Sequence, residues 1–128
     1  MPNAILHSEL NSTDPKKSIS FFKQLFPDWT WDELPSPAGP YTVFRFAGGE
    51  LGGGGIFQNP QPGCPSIWVP YVIVDDLKAT TEKLEKMGTQ IHQKMHDVGV
   101  GHITLFVEPS GAVTGLFQPK PGSMPPKK

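Results

Sequence analysis

Gly52-Gly53-Gly54-Gly55-Ile56-Phe57-Gln58 returns sixty positions later as Ala112-Val113-Thr114-Gly115-Leu116-Phe117-Gln118. Upstream of each copy lies an apolar run, Tyr41 to Phe46 in the first and His102 to Val107 in the second. Each run ends in a turn signal, Ala47-Gly48-Gly49-Glu50 and Glu108-Pro109-Ser110-Gly111. Further back, Asp14-Pro15-Lys16-Lys17 matches Asp76-Leu77-Lys78-Ala79. Self-similarity at half the chain length means two copies of one supersecondary unit, and two copies are too few for a solenoid. A pseudo-twofold domain with a binding site at the seam is the expectation.

Local signals fill in each copy. Ala4 to Leu10 alternates in part and reads as a strand with Ile5, His7 and Glu9 on one face. Asn11-Ser12-Thr13-Asp14-Pro15 offers a helix cap followed by Pro in the first turn. Ile19, Phe22, Leu25 and Phe26 recur at helical spacing until Pro27. Trp29-Thr30-Trp31 reads as a short strand, and Leu34 to Pro40 as a loop with three prolines. Tyr41 to Phe46 and Leu51 to Phe57 are strands three and four. The second copy repeats the order. Ile67 to Val74 is a strand, Asp75-Asp76 caps a helix ending at Gly88, and Ile91 to Met95 alternates. His102 to Val107 and Ala112 to Phe117 then form a closing hairpin. The fold class expected is α+β: two tandem βαβββ modules making a curved eight-stranded mixed sheet around a cavity, with the helices on its outer face. The modules run from about 4 to 58 and 67 to 118, joined by a Pro-rich linker at 59–66 and followed by a tail at 119–128.

Composition bounds the function. The 128 residues suffice for one domain, and eleven Lys and Arg against twelve Asp and Glu leave a net charge of −1. No basic stripe suggests a nucleic acid, and no apolar run reaches the ~20 residues of a membrane span. No signal peptide opens the chain. The single Cys64 builds neither a disulfide framework nor a cysteine zinc site, which fits a cytoplasmic, reducing setting.

The order of elements, Val72-Ile73-Val74-Asp75-Asp76 before a helix, and Phe106-Val107-Glu108-Pro109-Ser110-Gly111 near the end together resemble the vicinal oxygen chelate superfamily. That group holds glyoxalase I, extradiol dioxygenases, fosfomycin-resistance enzymes and bleomycin-binding proteins. The resemblance covers His7 to about Gln118, with Glu108 standing where the usual motif has Asp. It implies a glyoxalase-like small-molecule site between the modules. In the metal-dependent members it also implies a divalent ion (Mn, Fe, Ni, Co or Zn) held from the first, fourth, fifth and eighth strands. His7 falls at the first ligand position, and Glu9 lies on its face. The other inherited positions fall at Gly54, Val69 and Gly115, which carry no donor side chain. His7 and Glu9 are then the only catalytic or metal candidates.

Extending the inherited inward parity gives a pocket lined by His7, Glu9, Thr42, Phe44, Phe46, Val69, Tyr71, His102, Thr104, Phe106 and Phe117, and leaves Arg45 on the helix side. Three readings stay open. The first is a binding protein for a small, partly apolar ligand without the complete metal site. The second is a metal-dependent lyase or dioxygenase using His7 and Glu9, and the third a non-catalytic, dimeric interaction module. Edge pairing of sheets makes a homodimer plausible.

Overall fold

The computed structural model describes residues 3–35, 40–45, 53–59 and 63–121. Its elements are β1 (Ile5–Ser12), α1 (Pro15–Leu25), β2 (Thr30–Leu34), β3 (Tyr41–Arg45), β4 (Gly53–Gln58), β5 (Ile67–Ile73), α2 (Leu77–Lys86), β6 (Gln90–Asp97), β7 (Gly101–Val107) and β8 (Val113–Pro119). The architecture is α+β, with two helices and eight strands in a mixed sheet. The chain divides into two compact units, Leu6–Pro70 and the residues up to Ile5 together with those from Tyr71 on. The strand expected at Trp29–Trp31 extends to Leu34, into the stretch read as loop.

In the Leu6–Pro70 unit the strand order is β2-β3-β4-β1. β1 runs parallel to β4 in the register His7 to Gly53 and Glu9 to Gly55, and β3 pairs antiparallel with β4, setting Phe44 beside Gly54. Leu10, Phe44 and Ile56 form the buried core, against which Ile19 and Phe22 of α1 pack together with Trp29 and Trp31. The rings are layered. Trp29 stacks on Phe44 and on Phe26 with centroids 4.6 Å apart, and Trp68 meets Phe22 and Phe44 edge-on. Such pairs add to what burial alone supplies. Helix α1 ends at Leu25 with Phe26 as its cap, and although Leu25 and Phe26 are exposed, the Phe26 ring stacks on Phe22 and Trp29.

The second unit repeats the plan with β5-β8-β7-β6. Tyr71 pairs with Gly115 across the parallel β5–β8 ladder, and β7 pairs with β8 so that Thr104 faces Leu116 and Leu105 faces Gly115. Val74, Leu77 and Leu116 are the core, with Val72, Leu84 and Phe106 packed on it.

The matched aspartates have one job. Asp14 accepts from the Lys17 amide at 3.2 Å and Asp76 from the Ala79 amide at 3.0 Å, each capping its helix. Helix α2 stops at Met87, and Gly88 follows with φ +74°, a conformation glycine adopts without a Cβ clash. The two matched glutamines also share a role. Gln118 accepts from the Leu77 amide at 2.7 Å, at the start of α2, while Gln58 donates to the Thr13 carbonyl at 3.4 Å, just before α1. The last residue of each repeated heptapeptide thus ties its strand to the entry of its own helix.

Thr104 lies under α2. Its hydroxyl is 2.9 Å from that of Thr81, also fully buried, and it accepts from the Met95 amide at 3.1 Å. Met95 has φ +49° and sits where β6 slips register against β7. Thr104→Val keeps the shape and leaves the buried Thr81 hydroxyl and the part-buried Met95 amide without this partner, so a stability loss of about 2 kcal/mol is expected. Thr81→Val added to it should cost much less than the sum, because it removes an orphaned hydroxyl. Urea midpoints of the two single variants and the double variant check this, and strict additivity would contradict it.

Candidate functional site

Hairpin register decides which side chains share a face. Thr42 lies opposite Ile56 and Phe44 opposite Gly54, while Ile56 and Phe44 both belong to the core under α1. Thr42 and Phe44 therefore face α1 rather than a pocket, which corrects their expected placement. The same correction applies in the second unit. Thr104 bonds to α2, Phe106 packs on the Leu77–Leu116 core, and His102 shares their parity on β7. Expected pocket residue Phe46 lies outside the described residues. Arg45 sits on the face opposite Phe44, exposed, with its Nη1 3.4 Å from the Asp32 carboxylate. A pair this open to solvent contributes little to stability.

With β3 reversed, a different side chain comes to the front. Tyr41 is buried, and its hydroxyl shares a hydrogen bond of 2.8 Å with His7 Nε2. The two rings meet edge-on, and Phe57 meets the Tyr41 ring edge-on as well. Glu9 stands two residues along from His7, on the same face of β1. Burial pushes the His7 imidazole down to about 4, so it is neutral at physiological pH. Tyr41 begins its strand, where alternation is weakest as a guide, and nothing in the reading of the sequence singled it out.

The glycines explain how the tyrosine fits. A methyl built on Gly55 would overlap the Tyr41 ring, whereas one built on Gly54 would meet Ser8 O and the Phe44 ring. The empty position on the His7 face is therefore Gly55, one residue from the Gly54 expected. In the second unit Gly115 is covered in the same way by the ring of Tyr71. The chain has two tyrosines, and each lies over a glycine of a neighbouring strand. Val69, Tyr71 and Phe117 are buried.

These contacts test whether the residues fit the implied metal. Among the described residues, no three His, Cys, Asp or Glu side chains are grouped to hold an ion. His7 Nε2 is engaged with a phenol, and a carboxylate could not be placed at the Gly55 or Gly115 position without displacing a tyrosine ring. The donor set does not fit a His and carboxylate shell.

Other polar clusters are structural. Asp97 accepts from the Gly99 amide at 2.8 Å and from Lys120 at 3.2 Å, and these bonds hold its carboxyl below the usual carboxylate range. His102 Nε2 lies 3.9 Å from the same exposed carboxylate. Glu108 ties the β7–β8 turn, accepting from the Ser110 hydroxyl and from the Ser110 and Ala112 amides, which hold its carboxyl low. A shallow depression lined by Lys17, Ser20, Phe21, Gln24 and Leu25 is the open outer side of α1. Cys64 is exposed. Among the described residues, no helix is long and apolar enough to cross a membrane.

No family model matches the chain. It is 31% identical over 114 residues, 86% of its length, to the glyoxylase-named protein CFP32 of Mycobacterium tuberculosis. It is 30% identical over 131 residues, 91% of its length, to the anthracycline biosynthesis protein DnrV of Streptomyces peucetius. The chain spans 43% and 47% of the lengths of these relatives. Among solved structures, methylmalonyl-CoA epimerase from Mycobacterium tuberculosis is similar with a TM-score of 0.67 at 11% identity, covering 91% of this chain and 88% of that one. A Streptomyces coelicolor methylmalonyl-CoA epimerase variant in complex with 2-nitronate-propionyl-CoA gives a TM-score of 0.67 at 9% identity, covering 93% and 99%. At such identities the likeness is one of fold.

Proposed function

Since this chain belongs to the vicinal oxygen chelate, glyoxalase-like superfamily, we propose that it binds a small, partly apolar molecule on the face carrying His7 and Tyr41, without the four-donor metal shell of the metal-dependent members. The observation that carries this reading is the 2.8 Å bond from His7 Nε2 to a phenol whose ring covers Gly55. A first-strand histidine committed to a tyrosine has lost a free lone pair or gained a competitor for it. The aromatic surroundings, Tyr41 and Phe57, suit an apolar body. The single, exposed cysteine supports a reducing, cytoplasmic setting.

The alternative is a metal-dependent lyase or dioxygenase using His7 and Glu9, favoured by their shared face two residues apart on β1. Elemental mass spectrometry of the purified protein separates the two. It is paired with melting shifts on adding Mn, Fe, Ni, Co and Zn and on adding a library of small aromatic compounds. The expected result is metal well below one ion per chain, no shift with any ion, and melting shifts from a subset of the aromatic compounds. Stoichiometric metal that disappears in His7→Ala would establish the alternative instead.

A further inference from the structure

We infer that the outer face of α1 docks a second copy of this chain, the two α1 helices crossing antiparallel about a two-fold axis at Phe21. The inference is independent of the small-molecule site. The internal repeat supplies its control. On the inward side the copies agree: Ile19 and Phe22 pack on one core, while the matching Thr81 and Leu84 are buried or packed in the other unit. On the outward side they differ. Lys17, Ser20, Phe21, Gln24 and Leu25 recur at i, i+3, i+4, i+7 and i+8, one helical stripe, and all five are exposed. The equivalent stripe of α2 is Ala79, Glu82, Lys83, Lys86 and Met87. Phe21 thus stands where the other helix carries Lys83, so the fold does not itself require an aromatic side chain there. Phe21 is 59% and Leu25 52% exposed, and Phe26 and Trp68, both in ring contact with Phe22, are 39% and 46% exposed. Together they present about 400 Å² of apolar surface, a size that marks an interaction site on a monomer. With Lys17, Ser20 and Gln24 beside them, the face approaches the ~800 Å² per partner of a stable complex.

The face is complementary to itself. Helix α1 carries Lys16, Lys17 and Lys23 and no acidic residue. Lys17 and Leu25 lie four residues either side of Phe21, so the antiparallel crossing sets Lys17 against Leu25 of the partner subunit. The lysine stem covers the leucine, and its ammonium reaches the carbonyl end of the facing helix, which favours a cation. Asp28, just beyond that end, is exposed and adds to the attraction. Lys17 lies 3.9 Å from Asp14, but at 87% exposure that pair is weak and leaves the charge to a neighbour. The two Lys17 residues stay about 12 Å apart along the axis, whereas a parallel crossing would set one on the other. Lys23 lies over the Trp31 ring, so Lys17 is the one charge of the stripe. Anionic-membrane patches use clusters of about four to eight. The edges of the sheet suit pairing less well. β2 presents exposed Asp32 and Glu33, and β6 slips register twice and carries Lys94.

Sedimentation velocity of the full chain tests this across about 1 μM to 1 mM. The mass should rise from 14.0 kDa to twice that, with a midpoint in the micromolar range expected of a face this size. Phe21→Lys combined with Leu25→Lys should raise the dissociation constant about 100-fold or more, because a two-fold axis counts each loss twice. Thermal melts at low concentration check that this variant is folded. A second measurement reads the geometry. Phe21→Cys on a Cys64→Ser background places two thiols at the axis and should give a disulfide-linked dimer under mild oxidation. Lys83→Cys on the same background, at the matching place on α2, should not. A chain that stays at 14.0 kDa throughout would overturn the inference, as would a dimer that the double lysine variant leaves intact or equal cross-linking at both positions. Binding of the monomer to phosphatidylserine vesicles, lost in the double lysine variant, would overturn it too and assign the face to lipid.

Discussion

Gly55→Ala should destabilise the protein by about 3 kcal/mol, lowering its melting temperature by about 10 °C. Gly115→Ala should do the same. In each case the new methyl would overlap a buried tyrosine ring, that of Tyr41 at Gly55 and that of Tyr71 at Gly115. Neither ring can swing away cheaply, for Tyr41 is 7% and Tyr71 is 1% exposed. Close packing leaves nowhere for the displaced atoms to go. The clash is specific to the ring, so the cost should shrink when the ring is removed. Gly55→Ala placed on Tyr41→Val should cost well under half of what it costs in the natural background, and likewise Gly115→Ala on Tyr71→Val. Thermal and urea unfolding of both cycles measures the coupling. Strictly additive losses would show that the glycines serve the backbone and not the tyrosines.

The second large effect is with pH. The His7 imidazole has a folded-state pKa of about 4, set by burial, against 6.5 for the unfolded chain. Between these values the unfolded chain binds the proton and the folded chain does not. Stability from this group is therefore complete above pH 6.5 and declines as pH falls towards 4, by roughly 2–3 kcal/mol after allowing for the part-exposed ring. The groups that share the face of His7 are Tyr41, Glu9 and the Arg45–Asp32 pair, and Glu9 alone among them would soften the decline by favouring the charged imidazole. His7→Gln preserves a hydrogen-bonding side chain and removes the titration. Urea midpoints from pH 7.5 to 4 should fall faster for the natural protein than for His7→Gln, the gap opening below pH 6.5. Parallel curves would mean that the imidazole is not desolvated.

Much of the fold is legible in the chain because the repeat constrains it twice. Asp14 and Asp76, Gln58 and Gln118 each do one job in their own half, so each copy checks the other. The order of elements follows from alternation, caps and turns. What alternation does not decide is which side of a strand faces the helix when both sides are apolar. β3 offers Tyr41 and Val43 on one side and Phe44 on the other, and β7 offers Ile103 and Leu105 against Phe106. On both strands the observed faces are the reverse of the parity inherited from their neighbours. Hairpin pairing holds the missing information. Leu105 pairs with Gly115 and Thr104 with Leu116, so Thr104 and Gly115 cannot share a face. The same arithmetic applied to β3 and β4 puts Val43 beside Gly55, and brings Tyr41 to the His7 side. His7 was legible from its place on the first strand. Its partner was not, since the contact joins residues 34 apart.

The Gln118 bond has a consequence for how the chain is made. Leu77 and Gln118 are separated by 41 residues, so α2 leaves the ribosome long before its partner does. Until β8 follows, the entry of α2 has the Asp76 cap without the Gln118 bond. Seating β8 and completing the α2 cap through Gln118 are therefore coupled events, because the same bond joins them.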